Sequence, residues 1–150
     1  MGKRGVVASL VVAVALAGFV VPGVLPATED DVRSAVASGG RDAGSAVRTA
    51  RLTATALLDG RVLAPYRSAV FDDARERAAD AVDELFAVEV PTDGAARLRD
   101  RAMPLLTEAV VAITDTARAA EDDDRAALTA NASRLDRLAA GLRELVGAVA

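Results

Sequence analysis

The 150-residue chain contains no cysteine, no histidine and no tryptophan. Without cysteine neither a disulfide nor a thiolate metal site can form, so a folded domain must be held together by packing alone. Without histidine the chain lacks the commonest near-neutral proton shuttle and transition-metal ligand. Histidine-dependent hydrolase triads are excluded, and so are the Glu-x-x-His motifs of di-metal carboxylate bundles. Aromatic residues make up only 3% of the sequence, so a core must be built from Ala, Val and Leu, side chains that suit closely approaching helices. Lysine occurs once, at Lys3, and every other cation is arginine. No glycine-rich loop precedes a basic residue in phosphate-loop order, and Gly39-Gly40 falls within a helical pattern with no strand before it. These absences point away from an enzyme, and no cofactor is expected.

What is present begins with Lys3-Arg4, followed by an uncharged stretch from Gly5 to Thr28 rich in Val, Ala and Leu. A basic start before an apolar run has the form of a secretory signal, and Leu25-Pro26-Ala27 offers a small residue for cleavage just before the acidic Glu29-Asp30-Asp31. Ala15-Leu16-Ala17 has the same small-x-small pattern, but cleavage there would leave an apolar mature end. The competing reading is an uncleaved anchor, since roughly 20 apolar residues span a bilayer and the two cations would hold the short end on the cytoplasmic side. Residues 1–27 are therefore read as a signal peptide or membrane anchor, and 28–150 as an extracytoplasmic domain, secreted or tethered to the cell membrane. The chain carries 18 cationic and 22 anionic side chains, a formal charge of −4; without Lys3 and Arg4, 16 stand against 22, or −6. An acidic domain with no basic face is a poor partner for nucleic acid.

The remaining sequence predicts four amphipathic helices. In the first, from about Glu29 to Leu58, Val36, Ala43, Ala50 and Leu57 recur seven apart with Gly39, Ala46 and Thr53 between them, an a/d stripe. Its phase runs through Gly39, Gly40 and Gly44, which predicts a bend rather than a break. Asp59-Gly60 ends it and Pro65 opens the second helix, where Phe71, Ala74, Ala78, Ala81, Leu85 and Val88 mark one apolar face. After the turn Pro91-Thr92-Asp93-Gly94, the third helix carries Leu98, Ala102, Leu105, Ala109, Ile113 and Ala120 in phase, with Pro104 inside it and a kink expected there. Glu121-Asp122-Asp123-Asp124 places negative charge at the start of the fourth helix, and Leu128, Leu135, Leu142 and Val149, with Leu138 and Leu145, form its seam. Short connections make sequential neighbours antiparallel. The fold predicted is all-α, an up-and-down antiparallel four-helix bundle preceded by the hydrophobic segment.

Candidate sites are few. Gly40, Ala43, Gly44 and Val47 form a small-residue face with a small-xxx-small spacing, suited to close approach of another helix, either within the bundle or in self-association or a partner complex. Asn131-Ala132-Ser133 is a glycosylation sequon, although it falls within the fourth helix near the seam. The acidic pairs Asp30-Asp31, Asp72-Asp73 and the run Asp122 to Asp124 sit at helix starts or on polar faces, where solvation and dipole charge account for them. The function expected is a non-catalytic structural or protein-interaction role at the cell surface. The alternative is an extracytoplasmic sensor or accessory subunit of a membrane complex, anchored by its N-terminal helix.

Overall fold

The computed structural model describes residues 27–61 and 64–149. The leader, with the signal and anchor readings attached to it, lies outside the described residues apart from Ala27. Four helices make up the described chain: α1 Glu29–Leu58, α2 Ala64–Ala87, α3 Asp93–Glu121 and α4 Arg125–Val149. No strand occurs among the described residues, and none of their helices is long and apolar enough to cross a membrane.

Local chemistry sets the helix ends. Thr28 caps α1 with a capping box: its hydroxyl accepts from the Asp31 amide, and the Asp31 carboxylate accepts from the Thr28 amide at 2.7 Å. Thr92 caps α3 through the Ala95 amide, and Asp124 accepts from the Ala127 amide at the start of α4. The acidic run before α4 thus divides its labour. Asp122 closes α3, Asp123 takes a left-handed conformation with φ +52°, and Asp124 opens α4. The Asp124 amide donates to the Ala119 carbonyl and the Asp123 amide to that of Ala120, the paired bonds of a Schellman ending. α1 ends in the same way, with Gly60 at φ +71° and Arg61 and Gly60 donating to Ala56 and Leu57. Pro65 lies in the first turn of α2, where its missing N–H costs little. α3 runs unbroken through Pro104, which is exposed, as is Asp100, whose carbonyl loses its helical donor on a face open to water.

The contacts fix the arrangement. Gly39 approaches Ala81 of α2 and Leu106 of α3, while Gly40 approaches Leu142 and Val146 of α4. Glu29 lies beside Gly94 at one end, and Arg125 donates to the Leu58 carbonyl at the other. Sequential helices therefore run in opposite directions, with α1 and α3 parallel across the bundle. α1 and α3 each touch all three other helices, whereas α2 and α4 do not touch. This flattened cross-section follows from side-chain size: α1 contributes Ala43, Ala46 and Ala50 and α3 contributes Ala102, Ala109 and Ala112 to the buried core, and small residues let two axes approach. The larger side chains Phe71, Leu85, Leu106, Ile113, Leu135 and Leu142 fill the spaces around that contact and are fully buried.

Most of the heptad positions are buried as the pattern implies. On α3 the wholly buried leucine is Leu106, while Leu105 is only partly covered. A helix that packs on three others buries a wider stripe than a two-position seam.

Candidate functional face

The stripe Gly40, Ala43, Gly44 and Val47 is buried, and α4 covers the glycine edge of it. A Cβ on Gly40 would stand 2.7 Å from Val146 Cγ2, and one on Gly44 would stand 3.8 Å from Leu142 Cβ. The small-xxx-small spacing thus serves a close approach of two helices of the same chain. With α4 in place, a second copy cannot reach Ala43 or Val47, both 0% exposed.

Outside this contact the α1–α4 seam opens into a groove of about 230 Å³. Its floor is the edge of the same stripe, Gly40 and Gly44, together with Leu142 and Val146. Its rim is Arg41 and Arg48, two helical turns apart on α1, and Arg143 on α4. No Asp or Glu lines it, and among the described residues none of the three guanidinium groups is in an ion pair. Arg143 Nε donates to the Ala139 carbonyl at 3.2 Å, and Arg48 folds back over Gly44, its Nη1 3.8 Å from where a Cβ would be. The opposite flank of α1 differs in sign: a groove of about 250 Å³ between α1 and α2 is lined by Asp42, Asp80 and Glu84 with Arg77.

Many other charges have structural partners. Arg134 of α4 reaches both Glu108, at 2.7 Å, and Asp115, at 2.8 Å, which stand seven apart on α3. The hydrogen bond to Asp115, then that to Glu108, raise the Arg134 pKa, so the guanidinium is held in its charged form. Arg51 pairs with Asp136 at 2.8 Å and ties α1 to α4. Asp72 and Asp73 pair with Arg75 and Arg77 on their own helix, Asp30 with Arg33, and Asp123 with Arg67. Among the described residues no group of three or more metal-ligating side chains converges, and no buried side-chain polar atom lacks a hydrogen-bond partner. The one buried polar residue among the described residues, Thr116, donates to the Ala112 carbonyl.

The sequon lies in the second turn of α4. Asn131 is half-buried and the Ser133 hydroxyl donates to the Thr129 carbonyl. A glycan at this position would have to be accepted by a formed helix instead of the surface loop in which such sequons are ordinarily used.

The sequence reading found the floor of the α1–α4 groove but not its rim. Arg41 and Arg48 are visible as a seven-residue spacing; nothing in the linear pattern brings Arg143 to them. No protein-family model matches the chain, and no curated protein or solved structure is significantly similar to it.

Proposed function

We propose that the chain is an exported or membrane-tethered helical bundle with a non-catalytic role at the cell surface, exerted through an outer face and directed at structure or protein interaction. The observation that carries this reading is the position of the first cap. Thr28 and Asp31 close the first turn of α1, so the cap falls where the apolar stretch of the sequence gives way to charge. A cap placed at this boundary suits a preceding segment that is either removed or embedded in lipid. The lack of histidine and cysteine in the whole sequence supports the non-catalytic part, since these are the side chains that most often act as near-neutral bases and thiol nucleophiles.

The test is the intact mass of the native protein recovered separately from membrane, medium and cytosol. A chain starting at Thr28 in the medium is the expected result for a cleaved signal. A full-length chain confined to the membrane makes the leader an anchor and favours the accessory-subunit form of the proposal. A full-length chain in the cytosol overturns both.

A further inference from the structure

We propose that the groove between α1 and α4 binds a small anionic amphiphile, a phosphomonoester-type head on a short apolar tail. This site stands on the bundle alone and does not depend on where the chain resides.

The first observation is charge. The protein is acidic overall, yet Arg41, Arg48 and Arg143 line one groove that no carboxylate lines. Like charges around a cleft repel one another and focus a positive potential into it, and an anion removes that repulsion. Guanidinium groups suit the task because their planar donor forks match the oxygens of phosphate or carboxylate. A phosphomonoester, carrying about −1.5 to −2 at neutral pH, answers three cations better than a single carboxylate does.

The second observation is the floor. Beneath the arginines lie the buried Gly40, Gly44 and Leu142 and the half-buried Val146, with no side-chain polar group. A bare anion leaves the exposed part of Val146 wet, while a ligand with a short hydrocarbon part covers it. The groove, about 230 Å³, matches a free small molecule with a compact head and a few carbons. Gly40 and Gly44 keep the floor low; a larger side chain at Gly44 would occupy the space in which the Arg48 guanidinium lies back.

The probe is hexyl phosphate, added to the ¹⁵N-labelled protein as the cell leaves it and followed by amide resonances. Saturable shifts are expected at Gly40, Gly44 and Val146. Hexanol and hexyltrimethylammonium should bind at least tenfold more weakly, and inorganic phosphate weaker by roughly fourfold for each methylene the groove buries. The triple variant Arg41→Gln/Arg48→Gln/Arg143→Gln, altered only at exposed positions, should keep its helical circular dichroism and bind hexyl phosphate at least tenfold more weakly. Unmoved groove amides, hexanol binding as tightly as hexyl phosphate, or undiminished binding by the triple variant would each overturn the proposal. The comparison of ligands on the unaltered protein holds whether or not the variant folds.

Discussion

A Cβ on Gly40 would stand 2.7 Å from Val146 Cγ2, whereas one on Gly44, a helical turn away, meets nothing nearer than 3.8 Å. Both glycines lie in the interior of α1, where alanine is better by about 1 kcal/mol through backbone entropy. At Gly44 that gain is unopposed, so Gly44→Ala should raise stability by up to about 1 kcal/mol. At Gly40 the added methyl forces Val146 or α4 to move, and overpacking of this kind costs about 1–3 kcal/mol. Gly40→Ala should therefore lower stability by about 1 kcal/mol. Urea titrations followed by circular dichroism check the opposite signs; a stabilising Gly40→Ala would show that α4 does not press on Gly40, and a destabilising Gly44→Ala that the space there is not free. Neither sign can be read from the sequence, in which the two glycines look alike; only the position of Val146 separates them.

The capped helix ends are closed by local side chains, and the fold adds further partners to some of them. Asp31, placed by the sequence only as acidic charge at a helix start, completes a capping box in the structure. The Thr28 amide and then the Thr28 hydroxyl donate to its carboxylate and hold its pKa below the ordinary value of 3.8. A depressed carboxyl pKa means that its contribution to stability is present at neutral pH and down to the unfolded value, and is lost as pH falls through the folded one. The side-chain carboxyl carbon resonance of Asp31 should titrate with a midpoint below 3.8, with the first turn of α1 fraying only beneath that midpoint. A midpoint at or above 3.8 would mean that the capping box is not formed in solution. Glu29 shows what the fold adds. It sits beside Gly94 and accepts from the Thr92 hydroxyl at 3.5 Å, so a first-turn acid of α1 also stands over the start of α3. That placement favours both dipoles, and it exists only because α1 and α3 are parallel and begin at the same end.

At the scale of the whole molecule, stability rests on a core of alanine and valine punctuated by a few large side chains. Leu135 is wholly buried in the middle of the α4 seam, so Leu135→Ala should cost about 3 kcal/mol, within the range for emptying a leucine site in a close-packed core. Thermal and urea unfolding by circular dichroism measure it, and a loss below about 1 kcal/mol would show that the bundle collapses around the cavity. Arg134, bridging Glu108 and Asp115 across α3 and α4, is a polar counterpart to that seam, but partial exposure and solvent screening limit what it adds.

The sequence by itself determined the helical class, the four segments and most of the core, because a 3.6-residue period of Ala, Val and Leu is a local property that survives whatever the helices pack against. The caps Thr28, Thr92 and Asp124 are local in the same sense, since their hydrogen bonds reach only three residues along the chain. The tertiary structure decided which neighbour each face meets. It put α4 over the glycine edge of α1, making the small-residue stripe a contact within the chain, and it carried Arg143 to Arg41 and Arg48. The physical reason is separation: residues about a hundred positions apart share a groove only after the helices choose their neighbours. That choice is made by the sizes of all four apolar faces together, with no single segment encoding it.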